Sequence, residues 1–70
     1  MKRDLDAALI AAHEAGDRPA LVRLYSEAAD GAASEEAQAF FLTHAYVFAL
    51  ECGAAEATKL RARLKALGRI

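Results

Sequence analysis

Residues 35 to 52 form the most apolar stretch of this sequence, and they constrain the fold more than any other part of it. At the α-helical spacing of about 100° per residue, their apolar side chains point in nearly every direction, so no broad side is left for water. These side chains are Ala37, Phe40, Phe41, Leu42, Ala45, Tyr46, Val47, Phe48, Ala49 and Leu50. A helix of this kind must be covered, either by other helices of the chain or by a second molecule.

The remaining sequence favours helix and contains no strand pattern. Alanine, leucine, glutamate and arginine are frequent, while β-branched residues are few and never alternate with polar ones. We therefore predict an all-α fold, with residues 1–70 as a single domain. A domain of 70 residues buries only about 60% of the surface that its unfolded chain exposes, so oligomerisation is a realistic source of additional burial.

Capping residues and glycines predict a first helical hairpin over residues 4–31. Asp4 is suited to cap a helix that ends near Ala15, and Gly16 supplies a left-handed stop. Asp17 follows at once as the cap of a second helix, which Gly31 closes. The predicted buried faces are Leu5, Ala8, Leu9 and Ala12 on the first helix, and Leu21, Leu24, Tyr25 and Ala28 on the second.

A second hairpin is predicted over residues 34–68. Ser34 is suited to cap the third helix, which ends at Gly53. The fourth helix begins within residues 54–56 and ends at Gly68, with Ala57, Leu60, Leu64 and Leu67 on its apolar face. Gly16 and Gly53 are 37 residues apart, as are Gly31 and Gly68, so the two hairpins read as an approximate repeat.

The sequence resembles tetratricopeptide-like (TPR-like) helical-hairpin repeats. The Gly16-Asp17 turn, the spacing of Leu21, Tyr25 and Ala28, and the segment AYVFALECG before the second turn carry this resemblance. It implies a protein-binding groove, no catalysis and no cofactor. A small four-helix bundle made of two hairpins is the alternative architecture.

Two polar residues of the third helix share a side with its aromatic residues. His44 and Glu51 are seven residues apart, and a buried polar group needs a partner because leaving it unsatisfied costs about 1 to 3 kcal/mol. We predict either a partner-binding surface or a histidine satisfied at a helix contact. The candidate partner-binding residues are Phe40, Phe41, His44, Val47, Phe48 and Glu51, and the simplest partner is a second copy that covers the same helix.

Catalytic and metal chemistry have little support. His13, Glu14, His44 and Glu51 could in principle hold a metal, but they lack an HExxH or ExxH pairing. Cys52 lies eight residues from His44, about 12 Å in helical rise, which is too far for activation of its thiol. We expect no enzyme activity, no metal and no cofactor.

A basic C-terminal segment provides the alternative function. Net charge is −1, yet all acidic residues lie at or before Glu56, while five cations follow it. These are Lys59, Arg61, Arg63, Lys65 and Arg69, the candidate anion-binding residues of a nucleic-acid-associated regulator. Cations near a helix C-terminus are also favoured by the helix dipole, so nucleic acid is the less favoured partner.

The sequence also favours a cytoplasmic location. The single cysteine cannot form an internal disulfide, and aspartates interrupt the apolar run that a signal peptide would need. No segment has the roughly 20 apolar residues that a membrane crossing requires, so we expect no membrane association.

Overall fold

The computed structural model describes residues 4–70, which contain four α-helices and no β-strand. They are α1 (Leu5–Ala15), α2 (Arg18–Asp30), α3 (Glu35–Glu51) and α4 (Glu56–Ala66). This confirms the predicted all-α class and gives a small helical bundle. The basic start of the chain at Lys2 and Arg3 lies outside the described residues. Within 4–70, no helix is both long enough and apolar enough to span a bilayer.

Side-chain caps fix the beginnings of the first three helices. Asp4, Asp17 and Ser34 each accept a hydrogen bond from the backbone N–H three residues later, at 3.1, 3.2 and 3.1 Å. Each bond satisfies one N–H that the helix start leaves without an internal partner. Gly16 then stops α1 with a φ of 65°, a left-handed conformation that glycine adopts without steric cost. These caps and this stop occur where the sequence predicts them.

The helices pack in chain order. Within residues 4–70, backbone contacts join α1 to α2, α2 to α3 and α3 to α4, and no other pair of helices. The described chain is 31 Å by 28 Å across but only 16 Å thick. The bundle is therefore open: α1 and α4 lie apart, and α2 and α3 form its middle.

The buried core consists of two clusters. The larger joins α2, α3 and α4 and contains Val22, Ala29, Leu42, Ala45, Ala49, Leu60 and Leu64. The smaller joins α1 and α2 and contains Ala12, Ala20, Leu21 and Leu24. On the predicted face of α4, Leu60 and Leu64 are buried, while Ala57 and Leu67 are half-buried. Helix α2 is buried over a wider arc than predicted. Val22 and Ala29 are also buried because α2 packs against both α1 and α3.

The third helix is covered on one side only. Its buried residues are Ala39, Leu42, Ala45 and Ala49, so three of the four are small. Phe40, Val47 and Leu50 are 57%, 45% and 57% exposed. The helices of residues 4–70 therefore cover one side of α3, and its other side stays exposed in this structure.

Candidate interaction surface on helix α3

An exposed ridge runs along α3 on the side opposite its buried alanines. It consists of Phe40, Thr43, Val47 and Leu50, and we call it the α3 ridge. Their spacing of three, four and three residues places them in one row on the helix. Three of the four are large apolar side chains that remain about half exposed. A row of this kind is typical of a helix that packs against a partner.

Two polar side chains in and beside the ridge make hydrogen bonds within α3. The Thr43 hydroxyl donates to the carbonyl of Ala39 at 2.7 Å. The Nδ1 of His44 lies 2.9 Å from the carbonyl of Phe40, so Nδ1 carries the proton that it donates. Covering this surface therefore leaves the Thr43 hydroxyl and the Nδ1 of His44 with a hydrogen bond, which avoids the usual cost of burying those two atoms.

Tyr25 of α2 is the centre of an aromatic cluster beside the ridge. Its ring stacks on His44 and on Phe48, with centroids 5.2 and 5.9 Å apart. Its hydroxyl lies 2.8 Å from Nε2 of His13, which links α1 to the same cluster. Phe41 is the fifth member, with its centroid 6.3 Å from that of Tyr25. The ring contacts of this cluster fix the positions of His44 and Phe48, whose side chains lie beside the ridge.

The six predicted partner-binding residues thus divide into three groups. Phe40 and Val47 are exposed on the ridge, while Phe41, His44 and Phe48 are half-buried in the aromatic cluster. Between the two groups lies an open depression of about 220 Å³, lined by Thr43, His44, Val47 and Phe48. Glu51, the last of the six, makes an ion pair at the end of α3.

The ion pair of Glu51 joins the end of α3 to the start of α2. Its Oε1 accepts a hydrogen bond from Nε of Arg18 at 2.9 Å. Both side chains are about half exposed, 47% and 55%, so solvent screens the pair and it contributes less than about 1 kcal/mol to stability. The assignment of Glu51 as a partner-binding residue remains a prediction, and Arg18 lies beside it.

The five candidate anion-binding residues do not share one face. Arg63 donates to Asp30 at 2.7 Å, which ties α4 to the end of α2. Lys59, Arg61 and Lys65 are exposed at positions that spread around α4, and Arg69 follows the helix. Four of these charges lie on α4 and the fifth follows it, and the five do not form one patch.

We expect no retention on heparin or DNA at low salt. Dispersed cations, one of them already paired, neutralise few phosphates at once, and phosphate contacts dominate non-specific affinity. The measurement is elution from a heparin column loaded at about 50 mM salt. Retention that falls steeply as salt rises would instead support the nucleic-acid alternative.

The remaining candidates for chemistry are scattered. Within the described part of the chain, no three His, Cys, Asp or Glu side chains are grouped closely enough to hold a metal ion. His13 and His44 both contact Tyr25. Glu14, in contrast, is an exposed residue of α1, and Glu51 is paired with Arg18. Cys52 is an exposed free thiol. Among residues 4–70, these side chains do not come together as a metal-binding group.

Two features of this surface were missed by the sequence reasoning. Leu50 is part of the exposed ridge although the helical pattern gave no reason to separate it from core residues. Tyr25 was predicted as part of the buried face of α2, whereas it is half-buried and centres the aromatic cluster. The three-four-three spacing of the exposed residues would have indicated the ridge if the buried side of α3 had been known.

Comparisons with protein-family models, with curated proteins and with solved structures found no match for this chain.

Proposed function

We propose that this chain is a small non-catalytic protein–protein interaction module that self-associates through the α3 ridge. The observation that carries the proposal is the exposure of Phe40, Val47 and Leu50 in one row of the central helix. Apolar side chains arranged this way gain free energy when a partner removes them from water. The absence of charged residues from position 37 to position 50 makes the surface suited to an apolar partner.

A TPR-like arrangement of hairpins is part of the same proposal. Packing of each helix on its neighbours in chain order supports it, because repeat proteins are built from units that contact only adjacent units. The aromatic cluster that joins α1, α2 and α3 supports it as well, since it forms a continuous surface across the first three helices. In this proposal the cytoplasm is where the module acts, with its free thiol reduced.

The affinity expected from the ridge alone is modest. Full burial of a large apolar side chain contributes about 1.5 to 3 kcal/mol, so each half-exposed ridge residue offers about 1 kcal/mol. Three such residues from each of two chains must offset the loss of translational and rotational freedom. Six such side chains supply about 6 kcal/mol, less than the roughly 8 kcal/mol of a micromolar complex, so a micromolar dimer also requires burial of the half-buried aromatic side chains beside the ridge. We expect a concentration-dependent dimer.

We expect Val47→Asp to convert the dimer into a monomer. Val47 lies in the middle of the ridge, where a carboxylate would be desolvated without a partner. The measurement is molar mass by light scattering or sedimentation at tens of micromolar, with helix content checked by circular dichroism. Val47 is 45% exposed, so its replacement leaves the core of the chain intact.

The matched control is Ile70→Asp. Ile70 is 55% exposed and lies outside α3. Replacing it with aspartate is therefore expected to leave the measured molar mass at that of a dimer. Phe48 is unsuitable for this test because it packs against both core clusters, and a charge there would disturb the fold. A natural chain that stays monomeric at these concentrations would refute self-association.

A further inference from the structure

The α3 ridge has the same spacing when read in either direction. Its members at positions 40, 43, 47 and 50 are separated by three, four and three residues. Alternation of three and four is the spacing of a coiled-coil seam, in which two helices pack side by side along their length. If a second α3 ran antiparallel, Phe40 would face Leu50 of the second copy and Thr43 would face its Val47.

We propose that the occupant of the α3 ridge is the α3 ridge of a second copy, packed antiparallel about a two-fold axis. The axis passes between Thr43 and Val47, so both copies make identical contacts. This inference rests on the proposed self-association and adds its direction and register. Each dimer contains two Phe40–Leu50 layers and two Thr43–Val47 layers.

The sizes of the side chains favour the antiparallel direction. Antiparallel packing places a large pair, Phe40 with Leu50, at each end and the β-branched pair, Thr43 with Val47, in the middle. The contact is then symmetric, and one interaxial distance fits both ends. A parallel pair would place two Phe40 side chains in one layer and two Thr43 side chains in the next. Neighbouring layers of such different side-chain size cannot both pack well at one distance between the helix axes.

The charges at the ends of α3 favour the same direction. Residues 37 to 50 include no Asp, Glu, Lys or Arg, whereas Glu36 lies at the start of α3 and Glu51 at its end, bonded to Arg18. An antiparallel pair brings Glu36 of one copy to the end of α3 where Arg18 of the other copy lies. It also aligns the two helix dipoles in opposite directions, which is the favourable arrangement. A parallel pair would place Glu36 beside Glu36.

The hydrogen bonding of Thr43 allows it to lie in the middle of this contact. Its hydroxyl donates to the carbonyl of Ala39 within its own helix, so burial against Val47 leaves that donor satisfied. The methyl group of Thr43 is then available for apolar packing. The middle layers of the dimer are therefore dry and do not need a polar group from the partner.

The size of the contact determines the test. A specific interface buries about 800 Å² from each partner, about a sixth of the 4672 Å² that this chain exposes. A helix of 17 residues is about 25 Å long, so a contact along α3 lies toward the small end of that range. Covalent trapping is suited to a dimer of this kind because it records the neighbours without requiring high affinity.

We expect a 1:1 mixture of F40C/C52S chains and L50C/C52S chains to form a covalent dimer on mild oxidation or with a short bis-maleimide. Positions 40 and 50 of opposite copies are neighbours in the proposed register. In this register, position 40 of one copy is displaced from position 40 of the other by ten residues along the helix axis, which is about 15 Å. Each variant alone is therefore expected to stay uncrosslinked. The natural Cys52 pair is separated by about 21 Å for the same reason and also stays reduced.

Each outcome distinguishes this inference from the proposed function. Crosslinking of the mixture, with at least tenfold less in either variant alone, supports the antiparallel register. Crosslinking of F40C/C52S with itself shows a parallel pair and overturns the inference while self-association stands. A natural chain that is dimeric by mass, with no crosslinking of the mixture, also overturns it. A monomer by mass overturns both proposals.

Discussion

Leu42→Ala is expected to destabilise the chain by about 2 to 5 kcal/mol. Leu42 is fully buried in the larger core cluster, where α3 packs against α2 and α4. Truncation removes apolar contacts and leaves a cavity that the neighbouring helices fill only in part. A domain of 70 residues has a free energy of unfolding of about 4 to 10 kcal/mol, so this single change removes a large share of it. Urea unfolding followed by circular dichroism measures the loss.

Leu50→Ala provides the matched control for that change. It is the same substitution in the same helix, but Leu50 is 57% exposed on the ridge. Measured at a protein concentration low enough to keep the chain monomeric, it is expected to cost less than about 1 kcal/mol. Equal losses for the two variants would contradict the assignment of the buried and exposed sides of α3.

Ala45→Leu is expected to destabilise the chain by about 1 to 3 kcal/mol through overpacking. Ala45 is fully buried in the centre of α3, and Ala49, one turn away, is fully buried as well. The three added carbons have no space to enter unless α2 or α4 moves away from α3. For a domain of this size, each kcal/mol lowers the melting temperature by about 4 to 8 °C, which thermal unfolding measures.

The matched control for overpacking is Ala62→Leu. Ala62 is an exposed residue inside α4, and leucine is as good a helix former as most residues. We expect the melting temperature of the Ala62→Leu variant to stay close to that of the natural chain. A melting temperature for Ala45→Leu that equals or exceeds the natural value would show that α3 is not held closely by its neighbours.

The beginnings of the first three helices were predictable because local chemistry determines them. Asp4, Asp17 and Ser34 cap their helices through bonds that span only three residues. The start of α4 could be placed only within three residues. Ala55 occupies its cap position and makes no side-chain bond, so the sequence contains no local signal there.

The covered side of α3 could not be predicted from the sequence because it depends on contacts between helices. The whole circumference of α3 is apolar, so periodicity gives no direction to its burial. The structure buries the alanines and leaves Phe40, Val47 and Leu50 outside, although the large side chains gain more from burial. Small residues are placed where two neighbouring helices approach, and that placement follows only from the fold.

Part of the candidate surface was predictable from the sequence, and the rest depended on contacts between helices. Phe40 and Val47 were named among its residues, and the structure exposes both. Tyr25 could not be placed at its centre because the ring contacts with His44 and Phe48 join residues about twenty positions apart. Such contacts are set by how α2 lies on α3.

Because the helices pack in chain order, the first and last helices, α1 and α4, differ in how readily they detach from the rest of the chain. Helix α1 is held by the smaller core cluster and by its bond to Tyr25, whereas α4 shares the larger cluster with α2 and α3. Local unfolding starts where the fewest apolar contacts must be broken, which here is α1. Detachment of α1 would expose Leu21 and Leu24, which it helps to bury, while the larger cluster still joins α2, α3 and α4.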